Sequence, residues 1–463
     1  MIYILLVMLA LLMALSLLLF HGDIFAPAFI VCSVFFASTL ACIYNLKYWK
    51  TDLSVITVCV IVGGCLVFLV ISCLVQTISK QIYGCKNSKI KIRLNMIKVQ
   101  RWKLYLVFAA NLALIVLQLK FVQEVVSLSS NNLGSWGLKM EYYRNVVSYN
   151  TSGYNISIPT SISILLDFST ICAYVFLYIC INNYLATDEK PTLHNIDFIN
   201  TVPVVAYLTY NLLCGTRGSI LMIFLGGVMI FHMLYHKKEG WNKKYSIKSL
   251  FKLMVYIILI LFVFVMLRDI VGRRYSTTAA NPLYYICTYV GGSIHLLDDF
   301  IKNPPQQSEI WGSETFYSII RFLGQRLHID EWIYISHLEY RESNGLNVGN
   351  VYTAFRKYIY DFGYGGVLWC TALVSTIYSS LYYKIKYKRK INEYVDIPIM
   401  FYGYITYGLF YMSIQEQPLS TLLCMTTILM PLLYRIALYF LLDVKIGKGL
   451  KNTRKKIVIR TRL

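Results

Sequence analysis

Apolar residues in this chain come in solid blocks, each about the 17–25 residues that a helix needs to cross a hydrocarbon core of about 30 Å. That feature excludes most folds at once. In hydrocarbon every backbone N–H and C=O must be satisfied internally, and a solid apolar run of that length does so as a helix. A β-barrel would show short alternating segments instead. Composition agrees: 57% of the 463 residues are hydrophobic and 14% are charged, against about 25% charged in soluble domains. The chain reads as an all-α polytopic membrane protein of about 11 (10–12) transmembrane helices. The spans are expected near 2–20, 24–45, 53–77, 104–123, 161–185, 196–213, 218–235, 251–267, 364–383, 398–414 and 421–442. The first run, Met1–Phe20, lacks a basic n-region and a small-residue cleavage site, so it is expected to be a retained helix.

A formal charge of +21 raises the question of nucleic acid. The distribution argues against it, because the basic residues sit in short segments between spans, as in loops retained in the cytoplasm. Segment 80–103 has eight Lys/Arg and no acid, and 236–252 has six Lys against one Glu. Segment 384–397 has five basic residues against two acids, and the tail 443–463 has eight against one. Counting spans puts all four on one side. The acidic segment 187–197 falls there too, and acids contribute little to orientation. The N-terminus, Lys47 and Lys50 then lie outside. Of the twelve cysteines, Cys85 and Cys287 are the main ones outside the spans, and neither a disulfide framework nor metal-ligand spacing is present. Two sequons, at Asn150 and Asn155, carry little weight because such triplets arise by chance.

The resulting organisation is spans 1–8 over 1–267, a large outer loop over 268–363, spans 9–11 over 364–442 and a basic tail over 443–463. A smaller outer loop covers 124–160. From 269 to 362 the large loop carries eight Lys/Arg and ten Asp/Glu, unlike the basic inner loops. Helical pieces are expected at 283–303 and 313–340, separated by the Asn303-Pro-Pro break.

Arginine on the outer side needs a reason. Arg217 stands in CGTRGSIL; Arg268, Arg273 and Arg274 stand in RDIVGRRYS; Arg321, Arg326, Arg341 and Arg356 follow in the loop. Guanidinium suits planar, bidentate recognition of phosphate. The plainer reading pairs these arginines with the loop's own acids, such as Asp269, Asp298, Asp299, Glu339 and Asp361. Arg217 is the strongest functional candidate, because no acid is near it in sequence and Gly215 and Gly218 flank it. Candidate general bases are Asp361 and the loop histidines His295, His328 and His337, although a loop histidine is more often structural. Glu416 stands at the outer end of the tenth span. The 39 tyrosines fit interfacial belts as a default. In NVYTAFRKYIYDFG (350–363), Tyr352, Phe355, Ile359 and Phe362 share one helical face, with Arg356 and Tyr360 on a neighbouring one. Sugar-stacking aromatics beside a phosphate-binding arginine are the functional version of that pattern, and an interfacial stripe is the plainer one. No P-loop, Gly-x-Ser-x-Gly or Asp-x-Asp element appears, so sugar-nucleotide chemistry is not expected.

GTRGSIL at 215–221, NVYTAFRKYIYDFGYGG at 350–366 and the layout of spans and outer loops resemble the oligosaccharide repeat-unit polymerases, the Wzy-type O-antigen and capsule polymerases of bacteria. The likeness covers most of the chain as layout and some thirty residues as motif. It implies a GT-C-like glycosyltransferase of the bacterial inner membrane, working on the periplasmic face without a metal or other cofactor. The growing glycan would pass from undecaprenyl pyrophosphate to the next lipid-linked repeat unit. Implied partners are that lipid-linked oligosaccharide, the bilayer and a chain-length regulator protein; nucleic acid is not among them. An O-antigen ligase or a lipid-oligosaccharide flippase are the rival readings; nearly charge-free spans and one very long outer loop favour the transferase. On this reading Arg217, Arg273, Arg274, Arg341 and Arg356 meet the pyrophosphate, Tyr352 and Tyr360 meet sugar, and Asp361 or His337 takes the proton. The family's Arg-x10-Gly pattern is not kept, since Arg356 and Gly366 have nine residues between them.

Overall fold

The computed structural model describes residues 1–84, 91–129, 133–147, 156–186, 197–241, 245, 247–268, 270–271, 281–334, 338–387 and 395–442. Arg273, Arg274 and His337, and the tail 443–463, therefore lie outside the described residues. The chain is mainly helical. In order come α1 (Ile2–Leu19), α2 (Pro27–Tyr44), the single turn α3 (Leu46–Trp49), α4 (Val55–Tyr83), α5 (Arg101–Ser127), α6 (Trp136–Val147) and α7 (Thr160–Leu185). There follow α8 (Val202–Leu213), α9 (Gly218–Glu239), α10 (Ile247–Met266), α11 (Pro282–Lys302) and α12 (Tyr317–Leu327). A two-stranded hairpin, β1 (Arg341–Ser343) and β2 (Leu346–Gly349), precedes α13 (Ala354–Tyr387), α14 (Ile397–Ile405), α15 (Tyr407–Tyr411), α16 (Pro418–Leu422) and α17 (Met425–Leu442). Among the described residues seven helices are long and apolar enough to cross a membrane: α1, α2, α4, α5, α7, α9 and α17. Phe198–Leu213 and Met254–Met266 are apolar but shorter.

The helices form two compact units. One is built from Met1–Cys85, Ser276–Tyr387 and Ile405–Ile428, the other from Lys86–Tyr275, Lys388–Tyr404 and Leu429–Leu463. In the first, α13 packs along α4, and α11 packs on α2. That contact is backbone-close: a Cβ on Gly291 of α11 would lie 2.3 Å from the Cys42 amide nitrogen of α2. Gly291→Ala is therefore expected to destabilise by about 1–3 kcal/mol or more, as overpacking does, because backbone rather than a flexible side chain blocks the methyl group. Thermal melting of the purified variant checks it.

Buried polar contacts fix α11 further. Asp298 accepts from the Ser54 amide (2.8 Å) and the Thr57 hydroxyl (2.6 Å) at the start of α4, and pairs with Lys302 at 2.6 Å. Burial alone would raise the Asp298 carboxyl, but Lys302, Thr57 and Ser54 together hold it below its ordinary value. At the far end of α4 Gln76 donates to the Tyr387 hydroxyl (3.3 Å), where Asp23 also accepts from Tyr382 (2.8 Å) and pairs with Lys386. The loop after α1 thus meets the end of α13, and the loop after α2 meets α11, as a chain crossing back and forth requires.

In the second unit α5, α6, α7 and α8 enclose an apolar core around Phe121, Met140, Tyr143 and Tyr210. The basic segments meet at one end. Ile92 donates to the Lys237 carbonyl (3.0 Å), Lys91 pairs with Glu239, and Lys237 pairs with Asp396 at 3.0 Å.

Three local expectations are corrected. The segment 398–414 is not one helix but α14 and α15 broken at Thr406, with the freed Ile405 carbonyl taken by the Tyr378 hydroxyl at 3.1 Å. Of the expected helix 313–340 the described residues form α12, which His328 ends in the left-handed region at φ 55°, and a separate 3-10 turn at Asp330–Trp332. Residues 341–349 form the hairpin, turned by Asn344 and Gly345 at φ 52° and 71°, the pair that a two-residue turn favours. Finally, the helix expected from 350 begins at Ala354 and bends at Gly363 (φ 65°, ψ −167°), a conformation that suits glycine.

Candidate functional site

The first turn of α13 carries Arg356, and its side chain is 1% exposed. A fully buried cation needs partners. It has two: one guanidinium nitrogen bonds the Glu314 carboxylate and another bonds Glu339 at 2.6 Å. The rings of Phe300, Tyr360 and Tyr352 surround it at 4.8, 5.0 and 5.3 Å from its central carbon, so cation–π contact adds to the ion pairs. Glu339 also meets Arg341 at 3.1 Å. Arg341 donates to the carbonyls of Asp299 (2.7 Å) and Asn303 (2.6 Å), closing the C-terminal end of α11. The arginine–acid pairing considered from sequence is what Arg341 and Arg356 display.

The two carboxylates on Arg356 differ. Burial would raise Glu339, but Arg356, its own backbone amide and Arg341 hold it below 4.5. Glu314 is more deeply enclosed; burial raises it above 4.5 despite Arg356, and the nearby Asp361 charge adds to the rise. Burial thus favours the protonated form of Glu314, against the pull of the Arg356 guanidinium.

Asp361 sits one helical turn further on. Its oxygens accept from the Thr315 amide (2.6 Å), the Glu314 amide (3.3 Å) and the Ser313 hydroxyl (3.3 Å). The residue thereby staples the 313–315 turn to α13. Tyr352 is buried, with its hydroxyl on the Glu339 carbonyl (3.0 Å). Tyr360 donates to the Gln306 carbonyl (2.9 Å) and accepts from the Ser308 amide (2.8 Å). Glu416 is likewise enclosed: it accepts from the Leu419 amide (2.8 Å) and the Ser420 hydroxyl (2.5 Å), capping α16. His295 stacks on Trp49, with Nδ1 3.0 Å from the Thr51 hydroxyl and Nε2 3.3 Å from Asp299.

Arg217 belongs to the other unit. It precedes α9, is 3% exposed, donates to the Phe264 carbonyl (2.9 Å) and lies 4.1 Å from the centre of that ring. Arg217→Ala is expected to release the end of α10 and lower the melting temperature, since it removes a charge-assisted bond worth about 1.5–3 kcal/mol. An unchanged melting curve would mean that the bond to the Phe264 carbonyl does not hold the end of α10.

Two observations complete the first unit's site. Below the Gly363 bend, α4 and α13 frame an apolar groove of about 390 Å³ along Val55, Cys59, Gly63, Tyr364 and Leu368. It exists because Gly63 and Gly365 offer no side chain and nothing fills the space above them. Its rim residue Tyr364 follows Asp361 by three positions, so apolar furrow and charged cluster adjoin on one helix. Sequence reading missed Glu314, whose contacts lie 42 and 47 residues away. Among the described residues no group of three or more His, Cys, Asp or Glu could hold a metal ion. Compared with family models, curated proteins and solved structures, the chain matches none.

Proposed function

We propose that this chain is a GT-C-like polymerase of the bacterial inner membrane. It transfers a growing glycan from undecaprenyl pyrophosphate to the next lipid-linked repeat unit, on the periplasmic side. The observation that carries the reading is the adjoining of an apolar groove and a buried charged cluster across the Gly363 bend. A substrate with a prenyl tail and a sugar head needs an apolar furrow beside polar groups at a membrane edge. The layout of spans and the motifs at 215–221 and 350–366 support it from the sequence side.

In the proposed step the acceptor hydroxyl attacks the anomeric carbon of the donor. The new glycosidic C–O bond forms as the bond to the lipid pyrophosphate breaks, and the pyrophosphate leaves with the electron pair. Glu314 takes the acceptor's proton, and Arg356 orients Glu314 instead of binding phosphate, since its charge is already matched. Negative charge grows on the pyrophosphate, where preorganised cations lower the barrier most.

The test is deletion followed by a gel of surface glycans. A single-unit cap in place of a ladder is the expected outcome. Bare lipid core would instead indicate a ligase, and lipid-linked units trapped inside would indicate a flippase; either overturns the polymerase reading.

A further inference from the structure

α12 presents one apolar face and one polar face. Ile319, Ile320, Leu323 and Leu327 recur at helical spacing, while Ser318, Arg321 and Gln325 occupy the opposite side. The polar face is outward, as expected, but so is part of the apolar one: Leu323 is 38% and Leu327 is 59% exposed. Arg321 and Arg326 are exposed too, their guanidinium carbons 6.0 and 5.6 Å from the rings of Tyr317 and Phe322. Gly324 rests on Trp332, and the Tyr317 hydroxyl donates to the Tyr334 carbonyl at 3.0 Å.

What covers that face is indicated by what continues it. The residue before α12, Phe316, lies 5.7 Å from Phe362 and 6.3 Å from Trp369 between ring centres. Trp311, 70% exposed, lies 4.8 Å from Phe362. Trp369 belongs to α13 beyond the bend, where Tyr364, Leu368 and Leu373 leave one apolar side exposed. In a chain with seven membrane-length helices a bilayer covers such a side. The exposed apolar residues of α13 and those of α12, Leu323 and Leu327, thus flank the Trp311–Phe316–Phe362–Trp369 ring cluster. Aromatic clusters of this kind mark the interface between acyl chains and headgroups.

We propose that α12 is an interfacial helix seated in the headgroup layer beside α13. Leu323 and Leu327 enter the acyl region, and Arg321 and Arg326 reach anionic phospholipid phosphates. A second copy of the chain is a poorer occupant. A two-fold pairing of this face would bring Arg326, at its edge, near its own counterpart. The seat has a consequence for the neighbouring site, because the 313–315 turn that leads into α12 carries Glu314 and is stapled to Asp361. Lipid contact at α12 thus helps fix the height of Glu314 at the membrane surface.

The experiment uses the full chain in vesicles of phosphatidylethanolamine with phosphatidylglycerol. Leu323, Leu327 and Gln325 are each replaced by p-benzoylphenylalanine, with Leu368 as the reconstitution control. All three α12 positions are exposed, so folding is not at risk. After irradiation, mass spectrometry is expected to find phospholipid adducts at 323, 327 and 368, several times more than at 325. Adding Arg321→Gln and Arg326→Gln is expected to lower the phosphatidylglycerol share of the adduct. Cross-links from 323 or 327 to a second copy or another protein overturn the proposal. So does an absence of lipid adduct there while 368 gives one.

Discussion

Arg356→Ala is expected to cost about 3–5 kcal/mol of stability and to unfold the outer end of the first unit before its helices separate. The magnitude follows from what is left behind. Removing one member of a buried ion cluster strands the others without water or partner. Here Glu314 and Glu339 would both lose the guanidinium that bonds them, and Phe300, Tyr352 and Tyr360 would face a void where it lay. The melting temperature of the purified variant reads the loss. The reason is testable separately: combining Arg356→Met with Glu314→Gln and Glu339→Gln removes the charges with the cation and is expected to recover most of the stability. If Arg356→Ala melts with the parent protein, the guanidinium is not the centre of this cluster.

The contrast between Arg356 and the spans shows which parts of the molecule were legible from sequence. Blocks of apolar residues report helices directly, because hydrocarbon leaves the backbone no alternative. The hairpin was legible as well, through Asn344-Gly345, though residues 341–349 drew no expectation. The break at Thr406 was not, since it depends on Tyr378, 27 residues away, to take the freed carbonyl. Side-chain roles followed the same division. Arg356 stands out in its setting on sequence alone, yet a sequence shows a charge without showing its partners. Glu314 and Glu339, 42 and 17 residues distant, turn a candidate phosphate ligand into a buried ion bridge. Asp361 was singled out by its place beside a glycine; folding spends both its oxygens on amides of a turn that no periodicity foretells.

Glu314→Gln is expected to abolish polymer while lowering the melting temperature much less than Arg356→Ala, because the amide keeps the side chain's shape and an acceptor oxygen for Arg356, and Glu339 still matches its charge. Loss of a general base costs roughly 10²–10⁴-fold in rate. The pH profile discriminates this role from a structural one. Glu314 accepts a proton only when ionised, and burial places its folded value above 4.5. Polymerisation in vesicles supplied with lipid-linked repeat units should therefore rise as pH climbs through that raised value, and the limb should vanish in the variant. Stability runs the other way. A carboxyl raised on folding contributes stability that is fully present below 4.5 and is lost as pH rises through the folded value. The same ionisation that turns the base on thus loosens the turn that holds it, against which Arg356 and the Asp361 staple act. Asp361→Asn, by contrast, should weaken the staple and lower the melting temperature first. Should Glu314→Gln polymerise at the parent rate, the proton acceptor lies elsewhere.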